Sequence, residues 1–144
     1  MADQTEPTDR IEETEPVEPT DRVLIRIPAS TAHIGLVRSA ASAVGALLDF
    51  TYDRIQDLHI AIDEVCSRIM ATSQPAASML EVEFTIEGRE LKVTVKGDAP
   101  LNSDATFLTK WSQAILRAVT DGLEFISSDG TALVTFHLNR GVAP

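Results

Sequence analysis

The chain has 144 residues, 44% of them hydrophobic, and a formal net charge of −10, which suits one domain around a single core. Residues 1–22 hold eight acidic side chains against Arg10 and Arg22, so −6 of that charge sits in a short segment and −4 in the remainder. A net-negative chain without a basic stripe repels phosphate backbones, which excludes direct nucleic-acid binding. No apolar run approaches the ~20 residues that span a bilayer, and the N-terminus is acidic where a signal peptide is basic, so a cytoplasmic protein is expected.

The opening "MADQTEPTDRIEETEPVEPTDR" contains EPTDR twice, at residues 6–10 and 18–22. Proline, threonine and like charges without apolar periodicity predict a disordered acidic tail over residues 1–22. A docking peptide or phospho-acceptor is the alternative reading of the duplication. "VLIRIPA" then reads as a short strand stopped by Pro28. Ser30 is the expected N-cap of a helix over "TAHIGLVRSAASAVGALL", where Leu36, Val37, Ala40, Ala41, Val44, Leu47 and Leu48 fall at helical spacing. A second helix over residues 52–73 sets Ile55, Leu58, Ile62, Val65 and Ile69 on a core stripe. Asp57, Ala61, Glu64 and Arg68 form an adjacent, more polar face. Cys66, the only cysteine, excludes an internal disulfide and reads as a small buried hydrophobe.

"MLEVEFTIE" and "ELKVTVK" alternate around Gly88-Arg89 and predict a hairpin with one buried face. A polar loop, "GDAPLNSD", leads to a third helix over residues 105–120 that carries Leu108, Trp111, Ala114, Ile115, Ala118 and Val119. The chain closes with "GLEFIS" and "TALVTFHLN", a second hairpin about Ser128-Asp129-Gly130. The order β-α-α-β-β-α-β-β predicts an α+β two-layer sandwich, a mixed and mostly antiparallel sheet with about three helices on one face. The folded domain is expected over residues 23–140, with a second disordered end at 141–144.

Chemistry is thinly signalled. His33, His59 and His137 have no Cys or His neighbour in metal-ligand spacing, so no metal site is expected. Neither a nucleophile elbow nor a G-x-x-x-x-G-K-[ST] loop is present. Asp63 and Glu64 are sequence neighbours, which diverge by ~100° on a helix and do not share a proton.

"LHIAIDEVCSRIM" in the second helix and the ending "AILRAVTDGLEFISSDGTALVTFHL" resemble the small GHKL (histidine-kinase-like) ATPase domains of bacterial anti-sigma factors, the RsbW and SpoIIAB class of serine kinases, in particular the actinobacterial ones. The resemblance covers residues 23–139 and implies the GHKL (Bergerat) sandwich. In that family the second helix carries E-x-x-x-N, whose glutamate activates the attacking group and whose asparagine helps to hold Mg²⁺ between the phosphates of ATP. Glu64 takes the glutamate position, the catalytic base. Arg68 takes the asparagine position. A guanidinium has no acceptor for a cation, so Arg68 touches a phosphate or pairs with Glu64 as an ordinary helical ion pair. The family's D-x-G-x-G corresponds to "GDAPL", with Gly97 at the aspartate position and Ala99 and Leu101 at the glycine positions. Asp98 substitutes only if the loop shifts by one residue, which turns its side chain to the opposite face. Lys110 and Trp111 stand where the family has the glycines of its phosphate lid.

The resemblance therefore implies ATP with Mg²⁺ as the family cofactor, at a site here reduced to Glu64, Arg68, Gly97 and Asp98. It also implies a homodimer that sequesters an alternative sigma factor in a stress response and is countered by a STAS-type anti-anti-sigma protein, with Arg38 of the first helix contacting both partners. Partner switching with weak or no ATP chemistry is the expected function. The alternatives are an active Mg-ATP-dependent serine kinase that phosphorylates its antagonist, and a GHKL-fold module that binds another signalling protein.

Overall fold

Among the described residues, alternation of apolar and polar residues builds five strands, and 3.6-residue periodicity builds three α-helices over them. The computed structural model describes residues 21–73, 76–100, 108–128 and 131–141. The elements are strand β1 (Asp21–Pro28), helix α1 (Ile34–Leu47), helix α2 (Tyr52–Thr72), strands β2 (Met79–Glu87) and β3 (Glu90–Pro100), helix α3 (Lys110–Val119), and strands β4 (Gly122–Ser128) and β5 (Thr131–Asn139). The strands form one sheet in the order β1-β2-β3-β5-β4. All four pairings are antiparallel, so the parallel element expected of a mixed sheet does not occur among the described residues.

The register decides which side chains enter the core. Val82 lies opposite Val95, and Val95 opposite Val134, so these three stack across the middle of the sheet and point to the helices. Leu80, Phe84, Leu91, Val93, Phe136 and Leu138 fill the same face, all but completely buried against Leu58, Ile62, Val65 and Ile69 of α2. Burial of a large aliphatic or aromatic side chain is worth roughly 1.5–3 kcal/mol, so this layer carries most of the stabilisation. Among the described residues no helix packs on the opposite face, which presents Arg22, Leu24, Arg26, Glu81, Glu83, Lys92, Lys96 and Glu124.

Ser30 caps a single 3-10 turn (Thr31–His33), accepting from the Ala32 amide at 3.3 Å, before α1 begins. The α1–α2 connection is tight because Asp49 adopts φ 57° while the Phe50 amide donates to the Gly45 carbonyl at 3.0 Å. A Cβ at Gly45 would stand 3.1 Å from Cγ1 of Ile55, so a side chain there requires Ile55 to give by a few tenths of an ångström.

Three apolar residues of the expected helices lie outside the core. Leu36, Leu47 and Trp111 are 60%, 74% and 75% exposed. Each immediately precedes a buried residue (Val37, Leu48 and Ser112), and one step turns a helix by ~100°, past the edge of the single layer beneath it. The third helix begins at Lys110, because the extended Thr109 (ψ 167°) accepts from the Ser112 amide at 3.0 Å and caps it. Residues 105–107 of the expected helix lie outside the described residues, as do residues 1–20 of the expected tail and residues 129–130 of the second turn. The polar loop starts later than expected: Gly97 to Pro100 continue β3, with a register shift between Lys96 and Pro100.

Candidate functional site

The second half of α2 lies beneath the first turn of α3, and the two helices meet through polar groups. Ser112, 2% exposed, donates from Oγ to Oε2 of Glu64 at 2.6 Å. Thr109 Oγ1 donates to Ser112 Oγ at 3.1 Å while accepting from the Ser112 amide, so a relay of hydroxyls runs from the α3 cap to the Glu64 carboxylate. The partial positive charge of a helix N-terminus favours a carboxylate at this place. The acceptor that the family motif points at the attacking group is here bonded to the protein's own serine. Arg68 is half-buried one turn further on, and its carbonyl accepts from Thr72 Oγ1 at 2.6 Å.

Gly97 lies directly over α2. A Cβ at this position would stand 2.9 Å from Cγ2 of Ile69, closer than side chains tolerate, and 3.6 Å from Cβ of Ala77. Ile69 thus fills the space in which an aspartate at position 97 would project, and glycine is what permits the contact. Asp98 points the other way, as strand alternation requires. Its Oδ1 accepts from the Ser78 amide at 2.8 Å and its Oδ2 from the Ser78 hydroxyl at 2.5 Å. The Ser78 hydroxyl, then the Met79 and Ser78 amides, hold the Asp98 carboxyl below its ordinary pKa. A concavity of about 220 Å³ beside it is lined by Arg26, Met79, Glu81, Lys96, Gly97, Asp98 and Thr131 and opens on the uncovered side of the sheet. The structure therefore does not bring Asp98 together with Glu64 and Arg68.

The described residues do not fit a magnesium nucleotide: the position of the metal-binding amide is a guanidinium, the adenine-reading position has no side chain, and Glu64 is occupied by Ser112. No group of three metal-capable side chains occurs among the described residues. Cys66 adds no chemistry, since burial, with the charge of Asp63, pushes its thiol up to about 12.

Arg38 stands apart from this region, on the outward side of the α1–α2 pair. Its Nη1 donates to Oδ1 of Asp63 at 2.8 Å, with the two side chains 41% and 47% exposed. Beneath them His59 Nε2 lies 3.1 Å from the Arg38 carbonyl, to which it donates, and 2.8 Å from Ser42 Oγ. Ile60, one turn before Asp63, is exposed on the same side. The result is a half-solvated ion pair on two well-packed helices.

Sequence reasoning missed three of these contacts. The partners of Glu64 and Arg38, Ser112 and Asp63, lie 48 and 25 residues away from them in the chain and leave no local signal. Arg54 is the third. It donates to the Asn139 carbonyl at 2.8 Å, the Val119 carbonyl at 3.3 Å and Asp57 at 3.1 Å, and pairs with Asp121, tying the start of α2 to the ends of α3 and β5. Only its i,i+3 spacing to Asp57 was visible beforehand. No helix among the described residues is long and apolar enough to cross a membrane.

Comparison with known proteins agrees with this architecture. Residues 27–110 match the family profile of the histidine kinase-like ATPase domain, more than half of the chain. The chain is 27% identical over 103 residues to the anti-sigma-F factor RsbW of Mycobacterium tuberculosis, covering 71% of this chain and 60% of that protein. It is 33% identical over 79 residues to the serine-protein kinase RsbW of Bacillus velezensis, covering 52% and 49% respectively. A further serine-protein kinase RsbW, from Bacillus subtilis, is 29% identical over the same length. The matched segments thus span between half and three-fifths of these relatives. The five-stranded sheet under three helices, the match over residues 27–110 and the run of RsbW relatives agree, and the chain belongs to the histidine kinase-like ATPase domain family, with an RsbW-like sequence.

Proposed function

We propose that this protein is an anti-sigma factor that works by holding its partner and has weak or no ATP chemistry. The observation that carries this reading is the replacement of nucleotide contacts by internal ones: Ser112 on Glu64, and Ile69 against Gly97. Sequestration needs only a complementary surface, so it survives the loss of a catalytic site. The half-exposed Arg38–Asp63 pair supplies such a surface. Net acidity of the chain speeds its encounter with basic partners such as sigma regions more than it tightens the complex. An anti-anti-sigma protein that competes for Arg38 would release the sigma factor, and a cytoplasmic homodimer is the form in which we expect the protein to act.

Calorimetric titration of the purified chain against the alternative sigma factors of its host tests this proposal. One of them should bind, and Arg38→Glu should weaken that complex at least ~10-fold, about 1.4 kcal/mol. Arg38→Ala, which does not set two carboxylates against each other at Asp63, should weaken binding too while leaving the melting temperature nearly unchanged. Full affinity in both variants would contradict the assignment of Arg38. A serine kinase is the second reading, favoured by the glutamate retained at position 64. Capture of a different signalling protein, with no sigma factor bound, would mark the chain as a binding module of another pathway.

A further inference from the structure

At the end of the sheet formed by the β2–β3 turn and the exit of β5, Arg89, Asn139, Arg140 and Gly141 line a cleft of about 330 Å³. Among the described residues neither guanidinium has a carboxylate partner. Two of the nearby acids, Glu90 and Asp121, have other partners. Glu90 faces His137 at 3.6 Å on the uncovered side of the sheet, and Asp121 is held by Arg54 and by the Asn139 amide at 2.8 Å. Asn139 Oδ1 accepts from the Gly141 amide at 2.9 Å, which commits its acceptor and leaves its NH₂ donors free for a ligand. Gly141 has φ 82°, a conformation that suits glycine. Two guanidinium groups without a carboxylate partner among the described residues, and an amide donor, describe a site for an anion, carboxylate or phosphate.

The register shows where such an anion is supplied. Asp21, Ile86, Leu91 and Leu138 lie in one cross-strand row, and Arg89 and Arg140 follow just beyond its end. Asp21, the first described residue of β1, stands at that same end, two to three strand spacings of ~4.8 Å from the cleft. Residues 1–20 carry seven acidic side chains against Arg10. At up to ~3.3 Å per residue, Glu18 reaches the cleft within ~10 Å of chain and Glu12 within ~30 Å.

We propose that the Arg89–Arg140 cleft is an acidic-peptide site whose occupant is the protein's own N-terminal segment, through carboxylates of Glu12 to Glu18. Exposed ion pairs are individually weak, but a short tether presents the acidic segment at millimolar effective concentration. Docking is then salt-sensitive and reversible. The segment competes with any acidic stretch of another protein that seeks the same cleft, independently of which partner Arg38 holds.

The test compares the full-length protein with a full-length E12Q/E13Q/E15Q/E18Q variant, following the backbone amide NMR signals of Arg89, Arg140 and Gly141. Raising NaCl from about 10 mM to about 1 M shortens the Debye length from ~30 Å to ~3 Å. The three signals should move in the native chain, whereas in the variant they should start near the high-salt positions and stay there. A synthetic peptide copying residues 6–20 should bind the variant several-fold more tightly than the native chain, and R89E/R140E should abolish its effect. Identical low-salt signals in the native chain and the variant would overturn the proposal. Equal peptide affinity for the two would also overturn it, leaving a free anion site that the tail does not occupy.

Discussion

At Gly97 one missing side chain decides between two uses of the same helix–strand contact. The contact with Ile69 is closed because there is no Cβ, and any side chain there must push α2 away from β3. Gly97→Ala should therefore cost about 1–3 kcal/mol, the usual range for overpacking a filled core, measured by urea denaturation. Ile69→Ala alone should cost about 2–4 kcal/mol by leaving a cavity. Combined, the two should cost clearly less than their sum, because the new methyl enters the space that the isoleucine left. Strict additivity would mean that the two side chains do not compete for that space. Residue-scale contacts of this kind were only half legible. The sequence places glycine where the family has aspartate, and it places Asp98 on the wrong face; that Ile69 fills the gap depends on an approach between segments almost thirty residues apart.

At the scale of elements, α2 was the most legible, because its stripe of Leu58, Ile62, Val65 and Ile69 keeps one period over about three turns and all four are buried. Helix α3 was the least legible. Its apolar residues cover one broad side opposite Lys110, Gln113 and Arg117, and the core takes only an edge of that side, Ser112 and Leu116, leaving Trp111 outside. Burial of a serine at that seam follows from Glu64, whose carboxylate needs a donor once it is half-buried. Ser112→Ala removes a hydrogen bond to a charged group and should cost about 1.5–3 kcal/mol, a loss of several degrees in melting temperature. Glu64→Gln keeps an acceptor for Ser112 and should cost less. A Glu64→Gln variant less stable than Ser112→Ala would show that the carboxylate has another demanding partner.

For the whole molecule, element order and strand alternation were enough to give an α+β sandwich with helices on one face, and the resemblance of the second helix and the closing hairpin was enough to give the family. Two features lay beyond that reading. Arg54 fastens three chain ends from separate parts of the sequence, and the sheet is antiparallel throughout its described pairings. The sandwich depends on apolar register, and the contacts of Ser112 with Glu64, Ile69 with Gly97 and Ser78 with Asp98 sit around that core without interrupting it.

The most direct test of this account is thermal melting of the purified protein with and without millimolar Mg-ATP and Mg-ADP. A ligand at one hundred times its dissociation constant stabilises the folded state by about 2.7 kcal/mol, which raises the melting temperature of a domain of this size by several degrees. The account predicts coincident melting curves with and without nucleotide. A shift of several degrees, dependent on magnesium and lost in Glu64→Gln, would contradict it and assign the protein a working nucleotide site.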